Sequence, residues 1–340
     1  MKISIGYKLE TGPWGGGNRF VMDLVKALEL RGHHVINHLD DSNVDIILIM
    51  DPRYRRHPSI TFGLGKIIKY LLFKNPQTVV VHRINECDER KNTRHVNFLL
   101  RAANYLADHT VFIASWLIKL NVWRRESEFS VILNGANKEL FHSKNKNSKP
   151  NIFPLEIVTH HWGANKMKGF DIYRFLDGLM SKPLWSERIR FTYIGNLPNN
   201  FKFKNTKHLL PKNGVELANC IRKNDIYLTA SMNEPAGMHH IEGACCGLPL
   251  LYRNSGSLPE YCNGYGVEFN DLEDFEDKLE LMISMHEKFV NKMQEYPNTS
   301  EKRIIEWVDL FETLHKQNMT ISKKRKLLRN PFLLLFNLFL

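Results

Sequence analysis

The fold is decided between Glu234 and Glu260, EPAGMHHIEGACCGLPLLYRNSGSLPE. Two carboxylates, Glu234 and Glu242, stand in it with seven residues between them. Apolar runs of strand length flank the pair, Asp225 to Thr229 (DIYLT) before it and Leu248 to Tyr252 (LPLLY) after it. Glu234 therefore falls in the turn that leaves a strand. Ala236 to Met238 falls at the N-terminus of a helix that carries Glu242, and Gly247 is placed to stop that helix in a left-handed C-cap. Strand, helix and strand in so short a span form the repeating unit of a parallel α/β sheet.

The alternation continues in both directions. Ile3–Ile5, Val44–Ile49, Val79–Val81, Thr110–Ile113 and Val131–Leu133 read as buried strands, and Phe20–Leu30 and Phe98–Leu106 as helices. Leu155–Thr159 and Phe191–Ile194 restart the pattern in the second half. Continuous apolar runs between helices imply parallel sheets covered on both faces. The polar stretch 143–150 (SKNKNSKP) has linker composition. The expectation is two Rossmann-like, doubly wound α/β domains facing a central cleft: an N-terminal domain over 1–142, a linker over 143–150 and a C-terminal domain over 151–300. A crossover helix over 301–320 would return to the first domain, ahead of a tail over 321–340. A length of 340 residues and a 43% hydrophobic content accommodate two cores.

The carboxylate segment has a chemistry of its own. Free backbone N–H groups and the positive end of a helix dipole suit a diphosphate, and carboxylates on either side can accept hydrogen bonds from sugar hydroxyls. The bland alternative is two solvated carboxylates stabilising a helix start. His239 and His240 lie beside them, but no further ligand stands at metal spacing. Gly15-Gly16-Gly17 begins like a dinucleotide fingerprint, yet the third glycine it requires is Phe20 here, which makes a hydride-transferring dehydrogenase a poor reading. The loop is either a turn needing positive φ or a backbone approach to phosphate or acceptor, with Asn18 and Arg19 as donors.

The whole pattern resembles the retaining GT-B glycosyltransferases of family 4 (glycosyl transferases group 1), whose donor site carries a Glu-x7-Glu segment of this shape. Ser130 to Phe141 (SVILNGANKELF), Lys168-Gly169-Phe170-Asp171, Phe191 to Gly195 (FTYIG) and Gly15-Gly16-Gly17 with its helix match further family elements in the same order. The resemblance implies a metal-independent transfer from a nucleotide-sugar co-substrate, UDP- or GDP-sugar, with no other cofactor. It places Glu242 on the ribose, Glu234 on the transferred sugar, and Pro235, Ala236, Gly237 and Met238 around the diphosphate. Lys168 would neutralise the leaving group. The family's usual Arg is missing from Val158 to Gly169 (VTHHWGANKMKG), leaving His161 or Lys166 as its replacement. Both lysines could instead be solvated loop charges. Rival expectations are an inactive nucleotide-binding or scaffold module, and a same-fold sugar-nucleotide epimerase or phosphorylase.

On the N-terminal side, His82 reads as ending a buried strand and facing the acceptor, unless its ring is satisfied structurally. Arg83 and Asp88 join it as candidate acceptor contacts, as do Gly16 and Gly17. The basic loop Asp51 to His57 (DPRYRRH) is a candidate contact for an anionic acceptor. Lys+Arg exceed Asp+Glu, 47 − 36 = +11, without a nucleic-acid motif. Lys323-Lys324-Arg325-Lys326 and Arg329 precede PFLLLFNLFL, too short to span a bilayer but suited to an anionic leaflet or to folding back on an apolar groove. Five cysteines without a paired spacing and a strand-like start lead to the expectation of a cytoplasmic protein, peripheral on the inner membrane face, acting on a glycan or lipid-linked acceptor.

Overall fold

The computed structural model describes residues 1–10, 16–54, 57–143 and 153–339. Gly15, residues 55–56 of the basic loop and all of the expected linker except Ser143 lie outside them. The chain forms two compact units, Met1–Leu133 with Lys302–Leu340, and Asn134–Glu301. The first division comes ahead of the polar stretch because Ala136 forms a parallel bridge with Thr299. Its amide donates to the Asn298 carbonyl at 3.2 Å and its carbonyl accepts from Ser300 at 2.9 Å.

The first unit contains strands β1 (Lys2–Ile5), β2 (His34–Ile36), β3 (Ile46–Ile49), β4 (Val79–Ile84), β5 (His109–Phe112) and β6 (Glu128–Val131). Helices α1 (Gly16–Leu30), α2 (Leu64–Phe73) and α3 (Val96–Ala103) connect them. All strands pair in parallel in the order β2-β1-β3-β4-β5-β6. Every residue of β3 is buried, as a strand covered on both faces requires. One face packs on Val21, Leu24 and Leu28, one stripe of α1. The other packs on Leu64, Ile67, Ile68 and Leu71 of α2.

The second unit repeats the plan. Strands β7 (Leu155–His161), β8 (Ile189–Gly195), β9 (Lys207–Leu209), β10 (Ile226–Thr229), β11 (Leu250–Arg253) and β12 (Gly266–Phe269) form a parallel sheet ordered β12-β11-β10-β7-β8-β9. Helices α4 (Phe170–Leu179), α5 (Pro183–Ser186), α6 (Gly214–Arg222), α7 (Met238–Cys245), α8 (Leu258–Cys262), α9 (Leu272–Ser284) and α10 (His286–Lys292) flank it. Its core is rich in aromatics, with Tyr173, Trp185, Phe191, Tyr193, Phe269 and Phe275 fully buried.

The chain then returns to the first unit through α11 (Ser300–Lys316), α12 (Asn318–Lys324) and α13 (Pro331–Phe339). On α11, Ile304, Trp307, Val308 and Phe311 follow helical spacing and join the core of β1, β3 and α1. Burying four such side chains contributes roughly 6–12 kcal/mol as an upper estimate. Arg325, just past α12, forms a buried ion pair with Asp108, its Nε reaching Oδ1 at 2.9 Å. The tail is thereby fastened to β4 and β5, and α13 lies against α2 and α3. No helix among the described residues is long and apolar enough to cross a membrane.

Candidate active site

The site of the second unit begins with the alternation of β7, which sends Thr159 and His161 to one face and His160 to the other. His161 Nε2 meets the Tyr173 hydroxyl of α4 at 2.7 Å. His160 Nε2 instead meets Glu242 Oε2 at 2.8 Å. A carboxylate only accepts, so Nε2 carries the proton and Nδ1 accepts from the Tyr227 hydroxyl, 2.9 Å away. Glu242 is thus steered by a relay of two rings rooted in β10.

After β7 the chain makes a tight turn over Lys166–Lys168, in which Asn165 Oδ1 accepts from the Met167 amide at 3.1 Å. Gly169 closes it at φ 86°. A Cβ there would lie 2.2 Å from the Ala230 carbonyl oxygen, so only glycine lets this turn seat against the end of β10. The Met232 amide donates to the Met167 carbonyl at 2.7 Å and fixes the approach. Lys168 Nζ consequently stands 2.5 Å from Glu234 Oε2. The two residues are only 8% and 2% exposed, an ion pair taken almost wholly out of water. The Ser257 amide donates to the Glu234 backbone carbonyl at 2.9 Å, so the residue is fixed through its main chain as well as its side chain.

Pro235 and Ala236 are buried, Gly237 is the N-cap of α7, and Met238 opens the helix. A Cβ on Gly237 would stand 2.5 Å from His239 Nδ1, so the His239 ring packs directly on the turn. His239 Nε2 engages the Thr229 hydroxyl at 2.8 Å. His240 is fully buried, with no hydrogen-bond partner for either ring nitrogen among the described residues. Gly243 lets the helix close on the Tyr227 ring, and Gly247 ends the helix region at φ 82° as its position predicts.

The charges sort themselves by burial. Desolvation pushes His240 down to about 3, against a weaker opposing pull from Glu234. Desolvation above all holds His161 and His239 well below the ordinary imidazole range, and Lys168 pushes both the same way. These three rings are neutral, and the buried cation beside them is Lys168. His161 therefore does not supply the charge of the absent Arg, because its ring is buried and tied to Tyr173. Lys166 is exposed at the start of the same turn. No group of three or more His, Cys, Asp or Glu among the described residues could hold a metal ion.

The expected acceptor residues lie in the first unit, and three of them differ from expectation. His82 sits inside β4, two residues before its end, with 0% exposure. Its Nδ1 meets Asn104 Nδ2 at 3.3 Å, and desolvation lowers its pKa to about 4. It is a neutral residue of the sheet interior and does not reach solvent. Asp88 is a helix cap: it accepts from the Thr93 hydroxyl and from the amides of His95, Val96 and Asn97 at 2.5–3.0 Å, at the start of α3. Burial raises its pKa, but the Thr93 hydroxyl and these amides outweigh it, and the net direction is down. Asn18 spends its side chain on Glu10, accepting from its amide and donating to its carbonyl at 2.9 Å each. Arg83 is buried with its guanidinium 4.1 Å from the centre of the Phe20 ring. Gly16 and Gly17 open α1, with nothing within 4 Å of a Cβ built on Gly17.

Sequence reasoning missed His160 and Tyr227 as supports of Glu242; strand alternation through VTHH was the available signal. It also missed Arg253 on β11, which pairs with Asp171 of α4 and donates to the Ala230 carbonyl at 3.2 Å.

Residues 198–299, which include the whole Glu234–Glu242 segment, match the family described as glycosyl transferases group 1. No curated protein matches the sequence. Among solved structures, the fold is similar to a sucrose-phosphate synthase from Thermosynechococcus elongatus (13% identity, 93% of this chain and 99% of that chain, TM-score 0.62). It is similar to Anabaena Alr3699/HepE in complex with UDP (14%, 92% and 100%, 0.65), a protein also solved with UDP-glucose. It is similar too to the lipopolysaccharide outer core galactosyltransferase WaaB (12%, 92% and 100%, 0.64). At these identities the likeness establishes the fold, two parallel α/β units of GT-B type.

Proposed function

We propose that this chain, with its GT-B fold and its match to glycosyl transferases group 1 over residues 198–299, moves a sugar with retention from a nucleoside diphosphate, UDP or GDP, to a hydroxyl of a glycan or lipid-linked acceptor. The reading extends to a family-4 type of enzyme, working without metal in surface polysaccharide or glycoconjugate synthesis. Its location would be cytoplasmic, peripheral on the inner face of the membrane. The buried Lys168–Glu234 pair beside the N-terminus of α7 is the observation that carries it.

In this reading the amides around Gly237 and Met238 and the positive end of α7 take the diphosphate. Glu242, oriented by His160, accepts from the ribose hydroxyls. Lys168 faces the phosphate oxygens on which charge develops as the glycosyl bond breaks, and a fixed cation in a water-poor site is worth most there. Glu234 holds Lys168 in place and accepts from a hydroxyl of the transferred sugar. The acceptor hydroxyl attacks from the face the diphosphate leaves, and a phosphate oxygen takes its proton. The protein then works by positioning and electrostatics.

A donor screen tests this: purified protein with UDP-, GDP-, ADP- and dTDP-sugars, chelator present, reading released nucleotide. Release selective for one donor and lost in Glu242→Ala and Lys168→Ala is the expected result. Binding of a donor without release over a broad acceptor panel would replace the reading with an inactive module. Sugar-nucleotide isomerisation or phosphorolysis without acceptor would replace it with an epimerase or phosphorylase.

A further inference from the structure

Helix α13 is apolar on both of its faces. Leu334 and Asn337 are buried and Leu333 and Leu338 pack with them against the α2 side of the first unit. Asn337 Nδ2 donates to the Ala102 carbonyl of α3 at 3.0 Å. Leu338 lies so close to Gly65 of α2 that a Cβ there would stand 2.5 Å from the Leu338 carbonyl oxygen. The helix is therefore docked, and its own core needs are met by this face. The opposite stripe, Phe332, Leu335, Phe336 and Phe339, follows helical spacing and is exposed, 85% at Phe332 and 73% at Phe339. Phe336 meets exposed Phe98 of α3 edge-on at 5.4 Å, which widens the patch onto the neighbouring helix.

The charge around this patch has one sign. Helices α2, α3 and α13 contain no Asp or Glu, while Lys66, Lys69 and Arg101 are exposed on the first two. No acidic residue follows Glu312, whereas Lys316, Lys323, Lys324, Arg325, Lys326 and Arg329 do. Asp108 and Glu126, the acidic residues that the tail meets, are engaged by Arg325 and Arg329. An aqueous surface gains nothing from a large aromatic stripe, and a protein partner of mixed charge would meet cations here with no acidic side chain to pair its own bases. A basic rim beside an uncharged apolar stripe matches the boundary between anionic headgroups and acyl chains.

We propose that the exposed stripe of α13, with Phe98 and the flanking Lys323, Lys324 and Lys326, is a docking surface for an anionic lipid leaflet. The helix would lie in the plane of the interface, holding the first unit on the membrane. This inference is independent of the donor chemistry.

The test is flotation of the full chain with vesicles of phosphatidylcholine alone and of phosphatidylcholine mixed with phosphatidylglycerol. Binding to the mixed vesicles that weakens with salt is expected, with partitioning at least about tenfold lower in a Phe332→Ser, Leu335→Ser, Phe339→Ser variant. Replacing Lys323, Lys324 and Lys326 by Gln should lower it about fivefold per lysine at low salt. Both variants should melt with the wild type, since these side chains are exposed. Should the apolar variant melt lower, the lysine set decides alone. Equal binding to both kinds of vesicle, binding unchanged in the lysine set, or no binding at all would overturn the proposal. So would a wild-type dimer that these substitutions dissociate, which would make a second copy the occupant.

Discussion

Replacing Lys168 by Met removes one half of an ion pair that has almost no water to fall back on. At 2.5 Å the gross attraction is about 7 kcal/mol with an effective dielectric of about 20, and desolvation of both charges offsets much of it. The asymmetry matters more than the net. Taking away the lysine leaves Glu234, 2% exposed, without its cationic partner, and breaking a buried ion pair from one side costs about 3–5 kcal/mol. For a unit of the size of Asn134–Glu301 that corresponds to a fall in Tm of roughly 6–20 °C. The double variant Lys168→Met, Glu234→Leu removes both charges and should recover most of the loss. Activity should follow a different order: with a charge-stabilising group gone, kcat falls about 100–1,000-fold in the single and the double variant alike. Calorimetry at pH 7.5 supplies the first quantity and nucleotide release the second. A single variant melting within 2 °C (about 1 kcal/mol) of wild type would refute the buried-charge argument, as would a double variant no more stable than the single one.

Three further outcomes follow from the geometry. His82 and His240 have folded pKa values pushed by burial to about 4 and about 3. The unfolded chain therefore takes up their protons first, so the stability they confer is complete above about pH 6.5 and lost as pH falls toward 4, by roughly 3 kcal/mol for His82. Urea midpoints should drop between pH 7 and pH 5, and a flat or rising profile there would contradict their burial as neutral rings. Asp88→Ala should lower stability by about 1–2 kcal/mol through loss of the α3 cap and leave kcat/KM within a factor of two (about 0.4 kcal/mol); a large activity loss at unchanged Tm would restore it as an acceptor contact. His160→Leu frees Glu242 from its relay and should raise the donor KM about tenfold with little change in kcat, about 1.4 kcal/mol of ground-state positioning. An unchanged KM would mean that Glu242 needs no orientation.

The interior of both sheets was legible in the sequence. Ile3–Ile5, Val79–Val81, Phe191–Ile194 and Asp225–Thr229 all fall on observed strands, because a strand covered on both faces must be apolar throughout. What escaped were the edges. β2, β9 and β12 have no continuous apolar run, and β6 lies at Glu128–Val131 rather than Val131–Leu133, since an edge strand is half solvated and its composition reads as loop. In the site, Glu234, Glu242 and Lys168 could be singled out because turn, cap and glycine signals are local. The roles of His82, Asp88 and Asn18 could not, because each is settled by a partner beyond the reach of a local turn or cap pattern: Asn104, the amides opening α3, and Glu10. A polar side chain advertises its chemistry but not whether that chemistry is already used.

The return of α11 to the first unit has a consequence for the order in which the protein is made. Ile304, Trp307, Val308, Phe311 and Leu314 complete a core whose other buried members, from Ile3 to Ile132, are translated far earlier. The second unit, Asn134–Glu301, is continuous and can close as soon as it leaves the ribosome. The first unit must wait with the part of its α1-side face that α11 covers still exposed through more than 160 further codons, at about 5–20 residues per second. During that interval the nascent chain presents an apolar sheet surface to solvent, which makes the N-terminal half a substrate for chaperones although it is the first part to be synthesised.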